Sequence, residues 1–166
     1  IYDNKSAGNH SGDITLTGAG STGVYNNGGG KFTMTDGSIT TSGGNTTGVF
    51  SNGGTNTTIE KGTIKSTGGG ATLYAANNGT KINLGKTGGN ALTAGAGSVL
   101  FYHNDNDDKA GTIEGSFNLV NNITANVESG GVAFAFKEVQ SAADLSNAIK
   151  NMFGGGASFT NKLNYK

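Results

Sequence analysis

Gly23-Val24-Tyr25-Asn26-Asn27-Gly28-Gly29 returns as Gly48-Val49-Phe50-Ser51-Asn52-Gly53-Gly54, and with drift as Thr72-Leu73-Tyr74-Ala75-Ala76-Asn77-Asn78-Gly79. Self-similarity at a fixed period of about 20–50 residues marks a repeat architecture. The aromatic position falls at 25, 50 and 74, and Phe101 is read as its continuation in Val99-Leu100-Phe101-Tyr102. Ile1-Tyr2-Asp3-Asn4 fits the same slot, one period before Tyr25, so the sequence is expected to open inside a repeat as a piece cut from a longer array.

Two aliphatic series keep the same period: Ile14, Ile39 and Ile64 are evenly spaced by it, and so are Met34, Ile59 and Leu84. Each repeat thus holds three short apolar-centred segments, separated by Gly- and Asn-rich turns that tolerate positive φ. Thr15, Thr17, Thr33, Thr35, Thr40 and Thr58 flank the apolar positions, the alternation of a strand with one buried face. Threonine has high β propensity and suits the outer face.

Three strands per repeat, held in register, predict a parallel β-helix with coils of about 25 residues, inside the range of repeat architectures. Each coil hydrogen-bonds to the next at about 4.8 Å, so Ile14/Ile39/Ile64, Val24/Val49/Leu73 and Met34/Ile59/Leu84 should pile into columns. The winding should be right-handed. One coil cannot bury enough apolar surface to hold itself, which is why such folds come as arrays. A β-sandwich also offers many short strands and turns, but it does not require self-similarity at three positions.

Composition narrows the functions. The chain of 166 residues has 31 glycines, no proline, 13% charged residues and zero net charge. So much Gly, Asn, Ser and Thr could signal disorder, but regularly placed Val, Ile, Leu and Phe argue for folding. All eleven basic residues are lysines. The absence of arginine removes the best bidentate ligand for phosphate or carboxylate, and without a basic footprint nucleic acid is not an expected partner. No cysteine exists, so there is neither a disulfide framework nor a thiolate metal site. No apolar run reaches the roughly 20 residues of a membrane helix.

Beyond residues 1–102 the regularity fails. Residues 103–140 read as irregular coils with an acidic loop, His103-Asn104-Asp105-Asn106-Asp107-Asp108-Lys109, and strand-like runs at Ile113, Phe117–Val120, Ile123 and Val132–Phe136. Residues 141–153 read as a short helix packed on the rod, with Ser141 and Asp144 as a capping pair. Leu145, Ala148 or Ile149, and Met152 share one face of it, and Gly154-Gly155-Gly156 ends it. Residues 154–166 read as a terminal strand, with Phe159, Leu163 and Tyr165 alternating. The whole is one all-β segment with one helix near its end.

Catalytic and metal motifs are sparse. His10 and His103 are the two histidines, and no serine stands in a Gly-x-Ser-x-Gly elbow. Parallel β-helices also house polysaccharide lyases and hydrolases, which need clustered carboxylates. Here Asp3, Asp13, Asp36 and Glu60 spread over different registers, although Asp13 and Asp36, nearly one period apart, could stack. Asp105-Asn106-Asp107-Asp108 resembles the opening of a calcium loop, but Lys109-Ala110 stand where such a loop needs Asp or Asn followed by Gly. The Gly-rich triplets lack the Gly-Lys-Ser/Thr of a phosphate loop. The Thr-x-Thr pairs dissolve between coils, which does not maintain an ice-binding face. No catalytic group, metal or cofactor is expected.

The run Gly37-Ser38-Ile39-Thr40-Thr41-Ser42-Gly43-Gly44-Asn45-Thr46-Thr47-Gly48-Val49-Phe50 resembles the passenger repeats of bacterial type V autotransporters. So do Gly62-Thr63-Ile64-Lys65-Ser66-Thr67-Gly68 and Gly23-Val24-Tyr25. The resemblance covers residues 1–102, and the remainder by continuity. It implies a Gram-negative surface protein anchored by a carboxy-terminal β-barrel outside this segment, acting in adhesion or display toward a surface protein or glycan. Spacer or self-association duty is the alternative, and a carbohydrate-active enzyme a third. The loop of His103, Asn104, Asp105, Asp107 and Asp108 is the expected partner-binding site, because an irregular protrusion is where a repetitive rod acquires specificity.

Overall fold

A computed structural model describes residues 1–77, 79–104, 116–137, 141–154 and 162–166. Asn78, Ile113, Gly155, Gly156 and Phe159 lie outside them. The chain winds as a parallel β-helix, three strands to a coil. The first coil is β1 (Tyr2–Asn4), β2 (Ala7–His10) and β3 (Asp13–Leu16); the second is β4 (Thr22–Asn27), β5 (Lys31–Met34) and β6 (Ser38–Thr41). Next come β7 (Thr46–Asn52), β8 (Asn56–Ile59) and β9 (Gly62–Ser66), then β10 (Gly70–Ala76), β11 (Lys81–Leu84) and β12 (Asn90–Ala94). A further coil, β13 (Ser98–Asn104), β14 (Phe117–Leu119) and β15 (Ile123–Val127), precedes β16 (Val132–Phe136), helix α1 (Ala142–Met152) and β17 (Leu163–Tyr165). Three all-parallel sheets result, the first in the order β1-β4-β7-β10-β13-β16.

The aliphatic columns stand as the period requires. Ile14, Ile39 and Ile64 lie in direct register and continue through Leu92 to Ala125. Val24, Val49 and Leu73 continue to Phe101 and Phe134. Met34, Ile59 and Leu84 lead to Leu119 and begin on His10. From Val24 to Leu92 the large members of these columns are fully buried. The glycine of the Gly-Val-aromatic motif makes room for its neighbours: a Cβ on Gly48 would lie 2.7 Å from Ile64 Cγ2 and 2.6 Å from the Thr72 carbonyl oxygen.

The aromatic series departs from expectation at one point. Phe101 enters the core beneath Leu73, and Tyr102 is the residue in register with Tyr74. The cause is a longer coil. The start of β9 at Gly62 follows the end of β8 at Ile59 by three positions, whereas Asn90 follows Leu84 by six. The longer turn, through Thr87-Gly88-Gly89, lengthens the repeat, so the residue in register with Tyr74 stands one position beyond Phe101.

Helix α1 closes the end of the rod interior. Ser141 Oγ accepts from the Asp144 backbone N–H at 3.1 Å, as the capping pair requires. Ala148, Met152 and Phe153 are buried, and the Phe153 ring meets Phe101 at 5.1 Å, Phe134 at 6.0 Å and Phe117 at 6.1 Å. Leu145 was expected on the packed face, but it is 42% exposed. The helix docks by its last two turns, so its first turn projects past the rod.

Candidate functional site

His103 is an interior residue, which corrects its reading as a loop contact. It sits in β13, in register with Ala75 of β10 and Phe136 of β16, and is fully buried. The reason is strand alternation: Phe101 and His103 face the core, and Tyr102 and Asn104 face out. Asn104 stays on the surface, and its Nδ2 donates to Tyr74 Oη at 2.6 Å. Asp105, Asp107 and Asp108, with Asn106, Lys109 and Ala110, lie outside the described residues.

What the fold assembles on its outside is a ladder. Tyr2, Tyr25, Phe50, Tyr74 and Tyr102 occupy one register on the outer face of the first sheet. Ring centroids are 5.3, 4.8, 4.6 and 4.5 Å apart in turn. The first three rings are stacked, at 25° and 17°, so their faces are covered by one another. At Phe50–Tyr74 and Tyr74–Tyr102 the arrangement turns edge-to-face, at 71° and 70°. Both arrangements are favourable for aromatic quadrupoles. At the edge-to-face steps one ring presents its edge, not its face, to its neighbour.

That change of geometry coincides with a groove of about 260 Å³, lined by Asn45, Gly70, Ala71, Tyr74, Gly97, Val99 and Tyr102. The lining is uncharged and mostly apolar. Asn45 is exposed at its rim and holds φ at 54°, a turn conformation asparagine tolerates. Beside the aromatic stripe runs a ladder of amides: Asn52 Nδ2 donates to Asn27 Oδ1 at 3.1 Å, and Asn77 Nδ2 donates to Asn52 Oδ1. The two stripes give one side of the rod an apolar strip edged with hydrogen-bonding groups. The sequence showed both in its repeating Tyr/Phe and Asn, but the aromatic positions read as anchors and not as an outer face.

The acidic residues are held singly. Asp13 Oδ1 accepts from Ser38 Oγ at 2.7 Å, and Asp36 pairs with Lys61 at 3.2 Å. Glu60 pairs with Lys86 at 3.0 Å, and Glu128 with Lys65 at 2.8 Å. Asp13 is in register with Ser38, two positions beyond Asp36, so the two aspartates do not stack. Among the described residues no three His, Cys, Asp or Glu side chains gather. His10 lies half-buried beneath Met34. The outward threonine series on the third sheet, Thr15–Thr40, is interrupted by Lys65.

The Asp36 carboxyl is held below its ordinary value of 3.8, first by the Gly37 N–H that donates to it and then by Lys61. A depressed carboxyl contributes above its unfolded pKa and loses that contribution as pH falls through the lower, folded value. Titration of the Asp36 carboxyl carbon by NMR should therefore give a midpoint below 3.8. Lys61→Met should restore only part of the difference, because the backbone donor remains.

Comparison with known proteins finds no matching family model, no similar curated protein and no similar solved structure.

Proposed function

We propose that the chain is a surface-exposed rod of the autotransporter passenger type, working in adhesion or display through the outer face of its first sheet. The observation that carries this reading is the groove beside Tyr74 and Tyr102, where the aromatic ladder turns edge-to-face and Asn104 braces the Tyr74 hydroxyl. An uncharged, partly aromatic strip edged with amides suits a neutral saccharide. The sugar C–H face packs against an aromatic face, and its hydroxyls exchange hydrogen bonds with Asn side chains. A repeating strip also suits a repeating ligand, since several weak contacts add through effective concentration. Anchoring by a carboxy-terminal β-barrel outside this segment, and a place on the outside of a Gram-negative cell, belong to the same proposal.

A glycan array tests it. The wild-type chain should bind a set of neutral oligosaccharides without cleaving them, and the double variant Tyr74→Ser/Tyr102→Ser should bind them at least tenfold more weakly while keeping its β-type circular dichroism. Equal binding by the variant would remove this face from the proposal. Product formation would turn the reading toward a carbohydrate-active enzyme.

A spacer or self-associating role is the second reading. It is favoured by Tyr2 and Val132, 66% and 46% exposed, which lie on the first and last strands of the same sheet. Sedimentation that stays monomeric over a wide concentration range would remove it.

A further inference from the structure

The outer ladder of the first sheet holds four of the chain's five tyrosines, and Phe50 divides them into two pairs. Tyr2 and Tyr25 stand in register on β1 and β4, and Tyr74 and Tyr102 on β10 and β13. The rest of the chain offers an oxidant little else. There is no cysteine and no tryptophan, and both methionines, Met34 and Met152, are fully buried. Oxidation of sulfur follows exposure, so the side chains that usually react first are absent or shielded. Tyr2 is 66% exposed, and Tyr25, Tyr74 and Tyr102 are half-buried. The phenols are therefore the accessible groups that a one-electron oxidant meets first.

The two pairs differ in what they present to one another. Tyr2 and Tyr25 are stacked, with centroids 5.3 Å apart and planes 25° from parallel. Tyr74 and Tyr102 meet edge-to-face, at 4.5 Å and 70°. Loss of one electron and the hydroxyl proton turns a tyrosine into a phenoxyl radical. Its unpaired spin lies partly on the two Cε carbons, in an orbital that points out of the ring plane. Stacked rings aim these orbitals at each other. In an edge-to-face pair one ring offers C–H bonds in place of its orbital. The backbone keeps the stacked pair in step: the Tyr25 N–H donates to the Ile1 carbonyl at 2.8 Å, and the Ile1 amino group to the Gly23 carbonyl at 2.7 Å.

We infer that Tyr2 and Tyr25 form a site of oxidative cross-linking, where a peroxidase-type oxidant joins the first coil to the second through a dityrosine bond. Hydrogen peroxide, acting through a haem peroxidase, takes one electron and one proton from each phenol and leaves as two waters. The two radicals combine in one Cε–Cε bond. Each joined carbon then gives up its hydrogen as a proton, each phenol oxygen takes one up, and both rings are aromatic again. The product has lost two hydrogens and keeps both hydroxyls. The bond closes a loop of one coil, and a covalent closure restricts the unfolded chain, as a disulfide does. Strand β1 gains most from it, since among the described strands of its sheet it pairs with β4 alone. The inference does not depend on what the outer face binds.

The test treats the whole chain, in dilute solution, with a haem peroxidase and hydrogen peroxide. The monomer should gain dityrosine fluorescence and lose the mass of two hydrogens. Cleavage after lysine should recover residues 1–5 cross-linked to residues 6–31. Tyr2→Phe and Tyr25→Phe keep the stacked ring and remove the phenol, so each should lower the yield of cross-linked monomer at least tenfold. Tyr165→Phe should leave the yield unchanged, because Tyr165, 50% exposed, has the Phe134 ring as its neighbour at 6.3 Å and not a second phenol. Amide exchange in β1 should slow at least tenfold once the bond is made. The inference is overturned if no dityrosine forms, if it forms only in cross-linked dimers, if the link in the monomer joins Tyr74 to Tyr102 instead, or if Tyr25→Phe reacts like the wild type. Unchanged exchange in β1 would overturn the tie between coils.

Discussion

Ile64→Ala should lower the free energy of unfolding by about 2–5 kcal/mol, the range for deleting a buried large aliphatic side chain. Ile64 is fully buried in the middle of a column, with Ile39 in register on one side and Leu92 on the other. The void cannot close easily, because the neighbouring coils are fixed at strand spacing by their own hydrogen bonds. The lost contacts are also shared: Ile64 Cγ2 reaches toward Gly48, where any side chain would collide with it. In a stacked array each coil is stabilised by its neighbours, so one cavity weakens contacts on both sides. Urea unfolding followed by far-ultraviolet circular dichroism measures the effect. Thr63→Ala, one position away and exposed, should stay within about 0.5 kcal/mol of wild type. Equal losses at 63 and 64 would mean that the column does not carry the stability assigned to it.

Gly37→Ala should be comparably damaging for a different reason. Gly37 holds φ at +99°, and a Cβ there would overlap the carbonyl oxygen of Gly12 in the coil below. A Cβ on Gly62, at φ +120°, would overlap the Gly37 carbonyl oxygen in the same way one coil further on. The atoms that collide with this Cβ are backbone, so no side chain can move aside. Backbone strain contributes about 1–3 kcal/mol and overpacking about 1–3 kcal/mol more. Gly44 supplies the control: its surroundings are open to 4 Å and its φ is outside the left-handed region. Gly44→Ala should be neutral, or stabilising by about 0.4–1 kcal/mol through the unfolded chain. Thermal unfolding of both variants checks the pair, and equal midpoints would show that the glycine column is not required for coil stacking.

These two positions show how much the repeat makes legible. Ile14, Ile39 and Ile64 recur at a spacing that only a coil can bring together, because parallel strands in register place residues one period apart side by side. The Ser141 cap was readable for a similar reason, since its hydrogen bond is local and needs nothing distant. Phe101 and Tyr102 were not separable in this way. Strand alternation makes a shift of one residue a change of face, and the lengthened turn near Gly88 moved the count. The same alternation took His103 out of the polar run that follows it and into the core.

The sequence alone determined the period, the three strands of each coil, the identity of the aliphatic columns and the start of the helix, because each depends on local pattern or on identical spacing repeated. Tertiary structure decided what meets on the outside and in the core: the ring geometry at Tyr74 and Tyr102, and the burial of His103. Periodicity states which residues share a column. Which columns face each other across a corner, and at what distance, depends on how sharply the backbone turns between sheets, and that is settled only when all the coils pack at once.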